Sequence, residues 1–318
     1  MIEKILNRRE FEGQPPVLVD IGASGRFHPE WKILGKFSVC LAFDADEREM
    51  GYAQSASGRF RRFVVTPAVV TEKKPGLSDF YLTKFPFCSS VLRPDSATLE
   101  DWAFADFFAV EKKTRLRSEN LQQVLKREGL DYVDWFKTDS QGIDLRLFKS
   151  LGPRLAKKVL AAEFEPGIIN AYHGEDKLHH LLDYMDKGPF WMNSMRLDGV
   201  PRVHRKVLKD TLTAAQCRYL HLAVKRSPAY AEVSYLNSME QREEFTQRDF
   251  LLACAFGLVK GQFGFVLLIS RTAQEAFGDP FFRDIENHAL RVMKRGPFLM
   301  PVASARKIVE AFFKLWMD

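Results

Sequence analysis

Short apolar runs alternate with helical patterns through the first two thirds of this chain, and that alternation restricts the fold more than any other feature. The runs are VLVDI (17–21), VCLAF (39–43), FVV (63–65), YVDWFKT (132–138) and VLAAEFE (159–165). Helical spacing lies between them at about 46–56, 118–128, 144–151 and 175–187. Strands this apolar leave no face for water, so helices must cover both sides of a mostly parallel sheet. The expected fold is α/β and doubly wound. LSDFYLTKF (77–85) alternates apolar and polar residues and reads as an added edge strand or a hairpin arm.

From Lys206 onward the pattern is helical, at 206–226, 239–259, 263–277, 281–294 and 302–317. Ser227-Pro228, Gly261, Gly278-Asp279-Pro280 and Gly296-Pro297 separate these segments. The expected organisation is a ligand-binding domain over 1–205 and an all-helical C-terminal extension over 206–318. Homo-oligomerisation, a lid or partner docking would fall to that extension. LLACAFGLVKGQFGFVLLI (251–269) approaches the length of a membrane span, but Lys260, Gln262 and two glycines interrupt its centre. It reads as two buried helices meeting near Lys260–Gly264.

The net charge of +6 is spread along the chain. A solvated surface explains it, and no nucleic-acid partner is expected. The 4 cysteines stand far apart without a CxxC pair, which argues against a thiolate zinc site and fits a reducing, cytoplasmic setting. The N-terminal residues contain no apolar core of signal-peptide length.

In doubly wound sheets, ligands bind outside the carboxyl ends of the strands. The first run ends in Asp20, and Gly22, Ala23 and Gly25 follow in the turn DIGASG. Glycine lets backbone approach a ligand without a Cβ between them. The turn lacks the third glycine of GxGxxG, which argues against a nicotinamide dinucleotide. A plain strand–turn–helix would have the same composition. Asp44 ends the second run in LAFDADE, where a carboxylate can accept hydrogen bonds from a ribose diol. Asp46 either joins it or caps the next helix. Acids at these two places suit S-adenosyl-L-methionine, which carries no pyrophosphate for a glycine-rich turn to hold.

With three later segments, these motifs resemble the FkbM-type methyltransferases, a branch of the class I S-adenosylmethionine-dependent enzymes. VDIGASGRFHPEW resembles the first motif of that family, and LAFDADE its second, with Asp44 in place of the usual Glu. PFCSSVLRPD (86–95) resembles its paired-serine segment. VDWFKTDSQGIDLRLFKSL (133–151) resembles its signature, with Asp144 replacing Glu. AEFEPGIINAYHGEDKL (162–178) resembles its acidic strand end and loop. The order holds over about residues 15–195. The resemblance implies a Rossmann-like class I methyltransferase sheet. It also implies S-adenosyl-L-methionine held by Asp20, Gly22, Ala23, Gly25, Asp44 and Asp46. The reaction would be O-methylation of a hydroxyl on a sugar, glycolipid or secondary metabolite. The alternative is a catalytically silent scaffold of the same fold in glycan or natural-product assembly.

Methyl transfer to a hydroxyl needs alignment, plus a base or metal that weakens the O–H bond. KTDSQG ends the fourth run and puts Asp139 at the carboxyl edge, as the acceptor-side carboxylate or as a cap of the following turn. Lys137 could pair with Asp139 or Asp144. Glu163 and Glu165 share one strand face. They are able to bind the acceptor, act as base, join Asp139 around a divalent cation, or pair with Lys or Arg. Tyr172 and His173 are expected on the rim of the acceptor site, with His173 as a further base. Ser89 and Ser90 reach the ligand or bond within their own turn. His28 lies near the first turn with Trp31 packed under it. Cys88 has no His partner nearby in sequence and is not expected to be a nucleophile.

Overall fold

The apolar runs all become strands in a computed structural model that describes residues 1–23, 28–46, 48 and 58–296. In chain order the strands are β1 (Val17–Ile21), β2 (Val39–Phe43), β3 (Arg62–Thr66), β4 (Val69–Val70) and β5 (Gly76–Thr83). They continue with β6 (Val110–Glu119), β7 (Trp135–Thr138), β8 (Ala161–Phe164), β9 (Phe190–Pro201) and β10 (Arg226–Asn237). Seven of them form one sheet in the order β3-β2-β1-β7-β8-β10-β9. Within it β1, β2, β3, β7 and β8 are parallel. β10 runs antiparallel to both β8 and β9. The chain winds outward from β1 to β3 and returns to the far side of β1 as β7. That reversal opens a crevice at the carboxyl ends of β1 and β7, where sheets of this kind bind ligands.

Strand residues alternate between two cores. Leu18, Cys40, Trp135 and Ala161 face one, while Val19, Leu41, Phe136 and Ala162 face the other. The helices Leu121–Arg127, Asp144–Ser150 and Leu178–Asp186 cover the second core. The helices Gln247–Val259 and Phe263–Phe277, with a helix over 281–296, cover the first. Trp135 sits between Trp31 and Phe256, with ring centroids 5.9 and 4.8 Å away. The C-terminal helices are therefore a covering layer of the sheet. The two helices of the apolar run meet at Lys260 to Gln262 as the sequence predicts, and among the described residues no helix is long and apolar enough to cross a membrane.

The expectation of an all-helical extension needs correction at 226–237. This stretch is β10, with Ala229, Ala231, Val233 and Tyr235 buried at every second position. Packing against β8 satisfies the backbone N–H and C=O groups that an open sheet edge would expose. Nothing in the sequence pattern predicts β9. The segment before β10 contains three short helices, Arg205–Thr211, Ala214–Arg218 and Leu220–Ala223. β5 pairs antiparallel with β6 at the edge of a separate three-stranded sheet of order β4-β6-β5, so the edge-strand reading of 77–85 holds, in a second sheet and without a hairpin turn. The helices expected over 46–56 and 302–317 lie largely or wholly outside the described residues.

Candidate functional site

At the crevice the turn after β1 presses against the turn after β7. Gly22 has φ +77°, and a Cβ there would lie 2.1 Å from the carbonyl oxygen of Asp139. The Asp139 N–H donates to the Ile21 carbonyl at 2.9 Å, and the N–H groups of Gly22 and Ala23 both donate to the Phe43 carbonyl at 3.0 Å. Ala23 is packed into the core beside Leu18 and Trp31. Gly25 lies outside the described residues. Asp20 is buried and paired with Lys137 Nζ at 2.7 Å across β1 and β7, so the partner of Lys137 is Asp20 rather than Asp139 or Asp144. Burial works against the Lys137 charge, but Asp20 outweighs it and raises the ammonium above its ordinary value.

A narrow cleft of about 80 Å³ runs over these turns. Gly22, Asp44, Asp46, Ser89, Asp139 and Gln141 are among its walls. Asp44 Oδ1 accepts from the Asp46 N–H at 2.8 Å. Its Oδ2 is buried without a hydrogen-bond partner among the described residues. Burial, with the charge of Asp46 nearby, raises the Asp44 carboxyl to about 6. Asp46 is held by Arg48, whose Nη2 lies 2.6 Å from Asp46 Oδ2 and donates to Ser89 Oγ at 3.1 Å. Arg48 thereby ties the end of β2 to the paired serines. Ser90 accepts from the Leu92 N–H at 3.0 Å within its own turn and donates to the Gln141 carbonyl at 2.7 Å, which ties that turn to the one after β7.

A second, larger cavity of about 520 Å³, within the usual size of a small-molecule site, adjoins the first and shares Phe87, Asp139 and Gln141 with it. Phe85, Phe104, Phe107, Tyr172, Glu165 and Tyr230 help to line it. Asp139 thus stands where the two spaces meet. Its Oδ1 accepts from Gln141 Nε2 at 2.5 Å, and Gln141 Oε1 accepts from the Tyr172 hydroxyl at 2.9 Å. Gln141 has φ +56°, a left-handed conformation that turns its amide back onto Asp139. The bracing of this turn falls to Asp144, which accepts from Thr138, from the N–H and hydroxyl of Ser140, and from the Glu165 N–H at 2.9 Å. Burial first, and the charge of Asp144 second, raise the Asp139 carboxyl. Glu165 is raised much further, by burial and then by Asp139 and Asp144.

That shift has a measurable consequence. The folded chain keeps the Glu165 proton well above the ordinary 4.5, toward about 10, whereas the unfolded chain releases it near 4.5. Over that window the folded state binds more protons, so stability falls as pH rises. Glu165→Gln is expected to raise the unfolding free energy by about 1–2 kcal/mol near pH 8 and to change little near pH 4. Urea titrations at the two pH values check this, and equal effects at both would contradict it.

Glu163 lines a third space together with Asp139 and Glu165, but its own partners are cationic. It accepts from His28 Nε2 at 2.9 Å and is bonded to Lys260. Burial would raise its carboxyl, but His28 and Lys260 bring it down to about 2. Lys260 is only 7% exposed, lies 2.6 Å from Glu30 Oε2, and sits over the Trp135 ring at 4.8 Å. Among the described residues, His28, Glu30 and Glu163 are the one set spaced to hold a metal ion, and the Lys260 ammonium already lies among them. It is not the set of Asp139, Glu163 and Glu165 that the sequence suggests.

The structure brings Asp139 and Glu165 to one cavity and Asp44 and Asp46 to the other. His173 is 57% exposed, 3.9 Å from Asp95, and lines neither space. Tyr172 is buried rather than part of a rim. Cys88 is pushed up to about 12 by burial, which leaves it a poor nucleophile. Sequence reasoning missed Gln141 and Arg48 as positioning groups and the tie from Lys260 to Glu163. The chain matches no family model, no curated protein and no solved structure in comparisons with known proteins.

Proposed function

We propose that the chain is a methyltransferase that binds S-adenosyl-L-methionine in the cleft between β1, β2 and β7. The acceptor, a hydroxyl on a sugar, glycolipid or secondary metabolite, would sit in the adjoining aromatic cavity. The observation that carries this reading is the half-buried Asp44 carboxylate at the end of β2, whose buried Oδ2 has no hydrogen-bond partner among the described residues and stands on the cleft wall. A buried acceptor without a donor is costly, and a ribose hydroxyl is the donor that suits its position. The doubly wound sheet supports the same reading, since its switch point lies at this cleft.

When bound, S-adenosyl-L-methionine supplies an electrophilic methyl group. The chain has to place the acceptor oxygen against it. Asp139, at the junction of the two spaces, accepts the hydroxyl proton or orients the O–H bond, while Gln141 and Tyr172 fix its carboxylate. The raised carboxyl of Asp139 brings it nearer to neutral pH, where a base works best. Glu165 keeps its proton and acts as a hydrogen-bond donor to the acceptor. Phe104 and Phe108 add apolar wall to the cavity.

Calorimetric titration with S-adenosylhomocysteine tests the reading. Saturable binding is expected, and Asp44→Ala is expected to weaken it by about 10- to 100-fold through loss of one charge-assisted hydrogen bond. Absence of binding, or equal binding by Asp44→Ala, would refute it. Binding without turnover on any hydroxylated acceptor pool would favour the silent scaffold instead.

A further inference from the structure

The mouth of the aromatic cavity is continuous with a cationic strand face. Phe85, Phe87 and Phe107 all line the cavity, yet they are 41, 38 and 47% exposed. Their rings touch, with Phe85 centred 5.1 Å from Phe87 and 5.0 Å from Phe107. Three mutually packed phenylalanines facing water are costly for a surface that has no apolar partner.

These rings stand at the end of the β5–β6 ladder, which continues past Thr83 and Val110 through bonds from Lys84 to Ala109 and from Phe85 to Phe107. On the outward face of that ladder Lys113, Arg115 and Arg117 lie opposite Tyr81, Asp79 and Leu77. All three cations are exposed, and Lys84 and Lys112 are exposed nearby. Among the described residues the acids do not balance them. Asp79 serves Lys113 at 2.7 Å and Arg115 at 4.0 Å, Glu111 faces Arg48 at 3.6 Å, and the buried Glu119 is shared by Arg117 and Arg127.

We propose that this face docks the protein on an anionic lipid bilayer. The cationic row meets the headgroups, and Phe85, Phe87 and Phe107 enter the boundary between headgroups and acyl chains. The charge complementarity is that of juxtamembrane basic segments, whose attraction falls off within a Debye length. Phenyl rings without a polar tip gain by leaving water for the acyl boundary, and a single-stranded nucleic acid, whose bases stack on aromatic rings beside cations, is the competing occupant that the test separates. Docked this way, the cavity opens onto the membrane, so an acceptor with a lipid anchor enters without crossing water. The docking stands apart from the cofactor reading, because either one can fail while the other holds.

Cosedimentation of the full chain with sucrose-loaded vesicles tests it. Vesicles of phosphatidylcholine and phosphatidylserine in a three-to-one ratio are expected to carry the protein down, and vesicles of phosphatidylcholine alone are not. Sodium chloride at about 0.5 M releases it. Phe85→Ser combined with Phe107→Ser lowers the partition roughly tenfold. Lys113→Gln combined with Arg115→Gln does so too, on surface positions that leave the fold intact. The proposal is overturned by no pelleting with the anionic vesicles, by equal pelleting with neutral ones, or by undiminished partition of the lysine–arginine variant. Binding to single-stranded DNA without vesicle binding also overturns it.

Discussion

Gly22→Ala is expected to lower the unfolding free energy by at least about 3 kcal/mol and to abolish ligand binding in the cleft. Two separate costs add at this position. The backbone is left-handed, at φ +77°, where any Cβ is strained. The added methyl would also sit 2.1 Å from the carbonyl oxygen of Asp139, a backbone atom that cannot swing aside. Relief requires the turns after β1 and β7 to separate, and those turns form the floor of the crevice. Gly58 separates the two contributions. It has φ +84° with nothing among the described residues within 4 Å of its Cβ position, so Gly58→Ala should show the backbone cost alone, about 1–2 kcal/mol. Urea titration of both variants measures the difference. If Gly22→Ala costs no more than Gly58→Ala, the close approach of the two turns is wrong.

The second large effect lies at the opposite end of the strands. Arg248, on the helix Gln247–Val259, grips Asp134 with Nη1 to Oδ1 at 2.9 Å and Nη2 to Oδ2 at 2.7 Å. It also donates to the carbonyls of Gln14 at 2.9 Å and Pro15 at 3.2 Å. Asp134 Oδ2 in turn accepts the Val17 N–H at 2.8 Å. One guanidinium therefore joins the C-terminal helical layer to the start of β1 and the approach to β7. Burial opposes its charge, but Asp134 more than compensates and raises the guanidinium above its ordinary value. Arg248→Ala strands a buried carboxylate, and the expected loss is about 3–5 kcal/mol. The double change of Arg248→Met with Asp134→Asn should recover part of that loss, because no unpaired charge remains. A loss below about 1 kcal/mol in Arg248→Ala would contradict the assigned role.

β1, β2, β7 and β8 were legible because both of their faces are buried, which writes an uninterrupted apolar run into the sequence. β9 has no such signal. It lies at the edge of the sheet with both faces partly wet, and FWMNSMRLDGVP carries no clean alternation. β10 does alternate, but the small residues Ala229 and Ala231 carry half of its buried face and make a faint pattern. At the site, Asp44 and Asp139 could be placed because each directly ends a strand. The link from Asp139 through Gln141 to Tyr172 could not, since its step from Gln141 to Tyr172 spans 31 residues and it depends on a left-handed backbone at a glutamine. Lys260 reads in the sequence only as an interruption of an apolar run. Its tie to Glu163 exists because the covering helices bring their turn to the carboxyl edge of the sheet.

The central claim is that Asp44 and Asp139 face one bound cofactor and one acceptor across a shared junction. Its most direct test is a crystal soaked with S-adenosylhomocysteine. The account predicts the ribose diol within hydrogen-bond reach of Asp44 Oδ2, and the thioether sulfur turned toward Asp139 and the aromatic cavity. A cleft that stays empty at saturating ligand, or a ligand whose ribose lies away from Asp44, would contradict it.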